Sequence, residues 1–323
     1  MEAIATGVLS AILQALASFP GALLNPAPLI AVQRLFGDNP MWLHAFRLIT
    51  KLGDAQAAAL VILLLLWFRN RRVAYALLVA VALAALTDVV LWNLLSLPRP
   101  DDPRIMVREV VTVSSFPSGH TMTAMLLWGT LSSEDELPWI VGALLVGGVM
   151  LARLYLGVHF VRDLLGALLI GVAWIVILRN LLWPALVRWC SRRSPRFFLV
   201  LGALVCAGAL IALPIAPNGR WEIFAAAAGA ALALPLEYRF VRFTPTRVSP
   251  PWSAAKLLLG LGGAVALIFS ARYLGESARP LAVGLVALAA LWGILGVPAL
   301  FARLELATHQ PRVGAVTGQA APF

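Results

Sequence analysis

Residues 73–95 read VAYALLVAVALAALTDVVLWNLL, an apolar stretch with one acidic side chain, Asp88. A bilayer core about 30 Å thick is crossed by about 20 consecutive apolar residues in a helix, so this stretch is long enough to span a membrane. Basic residues Arg69, Arg71 and Arg72 precede it, as at the cytoplasmic end of a membrane helix. We therefore predict a transmembrane helix here.

The rest of the chain has a similar composition. Of its 323 residues, 61% are hydrophobic and 12% charged, about half the charged share of a soluble domain, which argues against a soluble enzyme. The net charge of +10 does not indicate nucleic-acid binding, because the arginines lie in short clusters between apolar runs rather than on a solvated basic face. Cys190 and Cys206 lie in apolar surroundings, so we expect no disulfide framework and no metal cluster.

Apolar runs of this kind number about ten and predict an all-α, polytopic membrane protein. Met1–Phe19 is the weakest run, and we expect it to be a retained helix because Glu2 stands where a signal peptide is basic. The candidate helices are Met1–Phe19, Leu52–Phe68, Val73–Leu95, Phe116–Leu131 (short), Leu137–Leu156, Leu164–Trp183, Phe197–Ala216, Trp221–Leu236, Pro251–Ala271 and Leu281–Phe301.

Orientation follows from the arginine clusters on alternate loops, because basic loops stay cytoplasmic during insertion. This places the loop Ser96–Phe116 and the loop Gly157–Asp163 outside, and the tail from Ala302 inside. The cytoplasmic clusters are Arg69, Arg71 and Arg72; Arg188, Arg192, Arg193 and Arg196; and Arg239, Arg242 and Arg247. Five guanidinium groups on the outer side need another explanation: Arg99, Arg104, Arg108, Arg153 and Arg162.

Three separated segments deliver polar residues to that outer face. They are LPRP at 97–100, FPSGH at 116–120 and RLYLGVHFVRD at 153–163. Guanidinium groups bind phosphoryl oxygens bidentately, and N–H groups at a helix start add the positive end of the helix dipole. We therefore expect Arg99, Arg153, Ser118 and Gly119 to hold a phosphate.

Two histidines in these segments supply the remaining chemistry. His159 and Asp163 are four residues apart, which on a helix puts them on one face, where the carboxylate fixes the tautomer and leaves the other ring nitrogen free to attack. His120, at a helix start, protonates the leaving oxygen. This division of roles rests mainly on the carboxylate partner of His159.

The sequence Pro-Ser-Gly-His, with Arg-x5-His-x3-Asp and an upstream Arg-Pro, resembles the type 2 phosphatidic acid phosphatase (PAP2) superfamily. The resemblance covers roughly Leu52–Leu182 and implies a six-helix membrane core, here within residues 1–196, followed by about four additional helices in 197–323. It also implies a reaction without metal or cofactor, in which His159 is the nucleophile, Asp163 orients it and His120 is the acid. The implied phosphate ligands are Arg99, Ser118, Gly119 and Arg153.

Two positions depart from the family pattern. The first motif, Lys-x6-Arg-Pro, has Trp92 at the lysine position, and Ala152 replaces the serine before Arg153. The missing lysine removes a positive charge from the phosphate site, which costs a few kcal/mol of transition-state stabilisation unless another group replaces it. The candidates for that replacement are Lys51, Arg104, Arg108 and Arg162, with Asn93 as a neutral donor.

The sequence thus predicts an integral-membrane phosphatase of the cytoplasmic (inner) membrane, with its site on the periplasmic or extracytoplasmic side. The substrate would be a lipid phosphate or pyrophosphate in the bilayer, such as polyprenyl pyrophosphate, phosphatidate or phosphatidylglycerol phosphate. Three alternatives stay open: a lipid phosphotransferase, a sugar-phosphate phosphatase, and a non-enzymatic transporter or lipid-binding protein with a degenerate site. The sequence leaves the oligomeric state undetermined.

Overall fold

The computed structural model describes residues 25–194, 196–197, 200–204, 207, 221–245, 250–303 and 308–309. Most of these residues are helical, which confirms the predicted all-α class. In this part of the chain the β-structure consists of the short antiparallel strands β1 (Phe243–Thr244) and β2 (Thr308–His309), with Phe243 opposite His309.

The helices of the first two thirds of the chain are α1 (Ala27–Phe36), α2 (Pro40–Thr50), α3 (Ala55–Phe68), α4 (Arg71–Leu95), α5 (Gly119–Ala124), α6 (Thr130–Ser133), α7 (Trp139–Tyr155), α8 (Val161–Ile177) and α9 (Trp183–Ser191). The later helices are α10 (Trp221–Leu236), α11 (Pro250–Leu274), α12 (Arg279–Leu291) and α13 (Val297–Arg303). Turns of 3₁₀ helix occur at Lys51–Gly53 and Gly275–Ala278, and π-helical turns at Met125–Gly129, Leu178–Leu182, Glu237–Val241 and Trp292–Gly296.

By length and composition, four helical segments of the described chain can cross a membrane, which agrees with the predicted multi-pass class. A fifth span results if Pro40–Gly53 and Ala55–Phe68, bent by 55° at their junction, count as one broken span. The four continuous segments are Arg71–Leu95, Val161–Trp189, Trp252–Leu274 and Arg279–Arg303.

Some predicted helices differ from the observed ones. The helix predicted at Phe116–Leu131 begins only at Gly119, continues to Ser133 and contains the π-helical turn between α5 and α6. α1 and α2 had no counterpart among the predicted runs, since both are short and α2 carries Arg47 and His44 among its apolar residues. Met1–Phe19 and most of Phe197–Ala216 lie outside the described residues.

The chain divides into two units, and the first contains every segment of the predicted site. It comprises the described residues up to Ile62 together with Tyr75–Trp183. Small residues let its helices approach closely: Ala80 and Ala84 of α4 pack with Met122 of α5 and Ala167 of α8 in one buried cluster. This packing holds the first turn of α5 close to the first turn of α8, where the backbone N–H of Ser118 donates to the carbonyl of Asp163.

The second unit comprises Leu63–Ala74 and the described residues from Pro184 onward. Trp67 is fully buried there, and its Nε1 donates to the carbonyl of Gly293 at 2.8 Å. The ammonium of Lys256 is also fully buried and lies over three aromatic rings, an arrangement that stabilises a cation through the ring quadrupoles. These rings belong to Phe68, Phe243 and Phe301, at 5.2–5.8 Å from the nitrogen to the ring centroids.

Candidate active site

The three segments singled out in the sequence meet in the first unit. Arg99 lies in the loop between α4 and α5, Ser118 precedes α5, and His159 lies in the turn between α7 and α8. The backbone N–H of Ser118 donates to the carbonyl of Asp163 at 3.2 Å, and Arg99 Nη1 donates to the carbonyl of Val158 at 2.7 Å. Residues up to 60 positions apart are therefore held in direct contact.

His159 and Asp163 face each other as predicted, although His159 lies in the turn before α8 and not on the helix. Nδ1 of His159 is 3.7 Å from Oδ2 of Asp163, which is longer than a hydrogen bond. The same oxygen accepts hydrogen bonds from the Phe160 N–H at 2.9 Å and from Ser115 Oγ at 2.5 Å. The Phe160 bond is a backbone cap at the start of α8, so the fold of the helix end orients this carboxylate.

Burial keeps the imidazole of His159 neutral. The side chain is 3% exposed, and burial, reinforced by the nearby Arg153 and Arg99 cations, lowers the pKa of His159 to about 4 against the opposing influence of Asp163. At neutral pH the ring therefore keeps a lone pair on one nitrogen. Its Nε2 lies 3.4 Å from Nη1 of Arg99, on the side of the ring away from Asp163.

The guanidinium of Arg99 is fixed by three backbone carbonyls. Nε donates to Val113 at 2.9 Å, Nη2 to Ser114 at 3.1 Å and Nη1 to Val158 at 2.7 Å. The planar fork of arginine suits acceptors arranged on several sides, which a lysine ammonium cannot reproduce. Arg99 thus joins the loop after α4 to the turn that carries His159.

Arg153 is fully buried in the last turn of α7, and its charge is already paired. Its Nη1 donates to Glu109 Oε2 at 2.9 Å and to Thr50 Oγ1 at 3.2 Å. Glu109 lies on the loop between α4 and α5, and its side chain is 36% exposed. The Glu109 carboxylate therefore binds the guanidinium that the sequence predicts to bind phosphate.

Ser118 and Gly119 lie at the start of α5, as predicted. Ser118 is fully buried, and its Oγ accepts a hydrogen bond from Thr121 Oγ1 at 3.1 Å. Gly119 packs so tightly that a β-carbon there would lie 2.9 Å from Asp88 Oδ2 and 3.1 Å from the Trp92 ring. Only glycine fits this position without displacing its neighbours.

Trp92, at the position of the missing lysine, supports the backbone of this segment. Its Nε1 donates to the carbonyl of Pro117 at 2.9 Å, and its ring lies against Gly119. Asp88, one turn earlier on α4, is buried and also borders Gly119. The side chain at the lysine position therefore contributes packing and one hydrogen bond in place of a charge.

The four cations considered as replacements for that lysine have different surroundings. Arg104 forms an exposed ion pair with Asp102 at 2.7 Å. Arg108 stacks over the Tyr155 ring, with its Cζ 4.3 Å from the ring centroid. Arg162 is buried and donates from Nε to Asp163 Oδ1 at 3.1 Å, so it contacts the predicted site directly. Lys51 is exposed.

His120 has an acidic partner that lies outside the three segments singled out in the sequence. Its Nε2 lies 2.8 Å from Oδ1 of Asp54. Asp54 immediately precedes α3, and its carboxylate faces the predicted general acid.

Sequence reasoning missed further residues that contact the predicted site, namely Thr50, Glu109 and Ser115. None lies in a recognisable motif, and their partners are 44 to 103 positions away in the chain. Among the described residues, no group of three or more His, Cys, Asp or Glu side chains is placed to hold a metal ion.

Comparison with known proteins yields two family matches and two relatives. Residues 73–186 match the PAP2 superfamily model, and residues 221–309 match the model described as PAP2 superfamily phosphatase, transmembrane extension. The mouse (Mus musculus) sphingosine-1-phosphate phosphatase 2 is 29% identical over 198 residues, which are 54% of this chain and 53% of the relative. Phosphatidylglycerophosphatase B of Bacillus subtilis (strain 168) is 35% identical over 69 residues, 18% of this chain and 34% of the relative.

The alignments thus span about half the length of the first relative and a third of the second. No solved structure matches the chain. The two family matches fall on either side of the predicted boundary at residue 196, whereas the structural units divide at Trp183 and place Leu63–Ala74 with the later residues. The division into 1–196 and 197–323 stays a prediction.

Proposed function

This chain belongs to the PAP2 superfamily, and we propose that it is an integral-membrane phosphatase that hydrolyses a lipid phosphate or pyrophosphate through a phosphohistidine intermediate. The observation that carries the proposal is the placement of a neutral, buried His159 between the Asp163 carboxylate and the Arg99 guanidinium. A nucleophile oriented by an acidic residue on one side and facing a cation on the other suits attack on a bound phosphoryl group.

In the proposed reaction, Nε2 of His159 attacks phosphorus while Arg99 and Arg153 bind the equatorial oxygens. The N–P bond forms as the bond from phosphorus to the leaving oxygen breaks, and His120 gives its proton to that oxygen. Asp163 stabilises the positive charge that develops on His159. Water then attacks the phosphohistidine, one of its protons returns to His120, and phosphate leaves with the regenerated His159.

Phosphate binding requires Arg153 to exchange its carboxylate partner for the substrate. Glu109 is partly exposed and lies on a loop, whereas Arg153 is buried, so the carboxylate is the partner that moves. Ser118 and the backbone N–H of Gly119 complete the proposed phosphate site at the start of α5. Arg162, which contacts Asp163, is the candidate among the four cations for supplying the charge that Trp92 lacks.

A lipid substrate is favoured over a soluble one by the composition of the chain and by the names of its relatives, both of which are lipid phosphatases. Polyprenyl pyrophosphate, phosphatidate and phosphatidylglycerol phosphate all present a phosphate at headgroup level. With arginine clusters cytoplasmic, the site would lie on the extracytoplasmic side of the inner membrane and the carboxyl terminus inside. We assign catalysis to residues 1–196.

A phosphate-release assay on the purified protein in detergent tests this function. We expect wild-type protein to release phosphate from at least one of the three lipids, His159→Ala to be inactive, and the matched control His44→Ala, at an exposed site on α2, to match wild type. Radiolabelled substrate should label the wild-type protein and not His159→Ala. The proposal includes metal independence, so excess chelator should leave the rate unchanged. Equal activity of wild type and His159→Ala would overturn the enzyme assignment.

A further inference from the structure

The turn between α2 and α3 adds a fourth segment to the site. Thr50 ends α2, Lys51–Gly53 forms a 3₁₀ turn, and Asp54 precedes α3. This turn is the 55° break in an otherwise apolar helical segment. Irregular backbone at such a break is tolerated in a membrane protein where it is covered by protein or lines a polar site. The break therefore marks a place where polar groups collect.

This turn is held against α5 and against the π-helical turn that follows α5 by one contact each. Trp128 Nε1 donates to the carbonyl of Leu52 at 3.0 Å. Gly53 lies so close that a β-carbon there would be 2.4 Å from the carbonyl oxygen of His120. Because the obstructing atom belongs to the backbone, a side chain at position 53 would force the turn and the helix apart. The contact between Asp54 and His120 is thus built into the packing of the two segments.

We propose that Asp54 is the positioning residue for His120, giving the site a second carboxylate–histidine pair beside Asp163 and His159. This inference rests on the proposed phosphatase function. Oδ1 of Asp54 lies 2.8 Å from Nε2 of His120, and the two side chains are 30% and 31% exposed. A carboxylate at that distance fixes the orientation of the ring and thereby which nitrogen faces away from it.

The pairing determines the route of the proton. With Nε2–H of His120 donating to Asp54, Nδ1–H is the proton available to the substrate. When the bond from phosphorus to the leaving oxygen breaks, its electron pair stays on that oxygen, and the Nδ1 proton of His120 transfers to it. His120 is left as the neutral Nε2–H tautomer, still bonded to Asp54. The water that hydrolyses the phosphohistidine then gives a proton to Nδ1 and restores the charged ring.

The two carboxylates would thus serve opposite purposes. Asp163 faces a histidine that is buried beside two arginines and stays neutral to attack phosphorus. Asp54 faces a histidine that is partly exposed, and it orients this ring for proton donation to the leaving oxygen. Two identical side-chain types acquire different roles from their partners.

Asp54→Asn tests this assignment, because asparagine caps a helix start as well as aspartate does and removes only the charge. The readout is kcat/KM, which reports the steps through departure of the leaving group. The alkoxide of an alkyl lipid phosphate is a poor leaving group and needs a proton from the acid, whereas p-nitrophenolate leaves without protonation. We expect kcat/KM to fall about tenfold or more for the lipid phosphate, consistent with loss of a charge-assisted hydrogen bond, and less than about twofold for p-nitrophenyl phosphate.

A double-mutant cycle with His120→Ala provides the second readout. If Asp54 acts through His120, adding Asp54→Asn to His120→Ala should cause no further loss on the lipid phosphate. If Asp54 only caps the helix, Asp54→Asn should lower kcat/KM equally for both substrates and reduce thermal stability. Its effect should also add to that of His120→Ala. This result would overturn the inference. Unchanged kcat/KM for both substrates would overturn it as well. Inactive wild-type protein on every phosphate would overturn the proposed function itself, and with it this assignment.

Discussion

Nη1 of Arg99 lies 3.4 Å from Nε2 of His159 while the same guanidinium holds the carbonyls of Val113, Ser114 and Val158. One side chain thus ties the loop after α4 to the turn before α8 and places a positive charge beside the proposed nucleophile. The position of the charge relative to the attacking nitrogen is set by these backbone acceptors.

Arg99→Lys should therefore lower kcat/KM strongly although the charge is retained. A lysine ammonium cannot reach three carbonyls and an equatorial phosphate oxygen from one position. We expect a loss of about 100- to 1000-fold, the magnitude typical of removing one donor from a transition-state site. Arg104→Lys is the matched control, because its exposed pair with Asp102 lies outside the site, and its activity should stay within about twofold of wild type. Similar activity of both variants would contradict the role of Arg99.

Glu109→Gln should lower KM for the lipid phosphate. The Glu109 carboxylate now occupies Nη1 of Arg153 and must give way to the substrate. Because Glu109 is partly exposed, removing its charge should weaken its ion pair with Arg153 by only about 1 kcal/mol. A difference of about 1 kcal/mol corresponds to about a fivefold lower KM. Steady-state kinetics at fixed detergent concentration measure the effect. A higher KM would instead show that Glu109 holds Arg153 in its binding position.

The low pKa of His159 predicts the pH dependence of activity. Burial lowers this pKa to about 4, so the attacking nitrogen stays unprotonated well below neutral pH. The acid limb of kcat/KM that reports the nucleophile should consequently lie near pH 4 rather than near the ordinary histidine value of 6.5. A profile of kcat/KM from pH 3.5 to 8, with p-nitrophenyl phosphate as substrate, checks this value. An acid limb at 6.5 would contradict a buried neutral His159.

The same pKa predicts how stability changes with pH. Between pH 6.5 and about 4 the unfolded chain binds a proton at His159 and the folded protein does not. The stability contribution is therefore complete above pH 6.5 and is lost as the pH falls toward 4. Thermal unfolding in detergent should show this decrease in wild type and a smaller one in His159→Asn, which has no titrating ring. An equal dependence of thermal stability on pH in the two proteins would contradict this contribution of His159.

Gly119→Ala should reduce both stability and activity. Its β-carbon would lie 2.9 Å from Asp88 Oδ2 and 3.1 Å from the Trp92 ring, so either these side chains or the start of α5 must shift. We expect a cost of about 1–3 kcal/mol, as for overpacked cores, and a loss of activity because His120 directly follows Gly119. Gly147→Ala on α7 is the control, since nothing lies within 4 Å of its new methyl group. That variant should be as stable as wild type or up to about 1 kcal/mol more stable.

Trp92→Lys should not restore the missing phosphate ligand. The indole supports Gly119 and donates to the carbonyl of Pro117, and a lysine does neither. We expect a loss of about 2–4 kcal/mol of stability, as for truncation of a large aromatic side chain, and lower activity. Trp92→Phe isolates the hydrogen bond and should cost about 1 kcal/mol. Thermal unfolding and phosphate release measure both variants. A gain in activity with lysine would show that the position faces the phosphate.

The sequence by itself determined the features that depend only on residues close together in the chain. Apolar length identified the four continuous spans. The short separation of His159 and Asp163 predicted their proximity, but His159 lies in the turn before α8, so a helix cap and not a shared helix face brings them together. The same reasoning placed Arg99 and Gly119 at the ends of their segments. It failed for α1 and α2, whose mixed polarity and short length resemble loops in a count of apolar residues.

Only the tertiary structure decided which side chains meet across the site. It paired Asp54 with His120, Glu109 with Arg153 and Ser115 with Asp163, and it placed Trp92 beneath the start of α5. Each pair joins residues 25 or more positions apart, and the residue types alone allow many other partners. Close packing of helices through small residues selects one set, because burial leaves each polar group only the partners that the neighbouring backbone brings within hydrogen-bond distance.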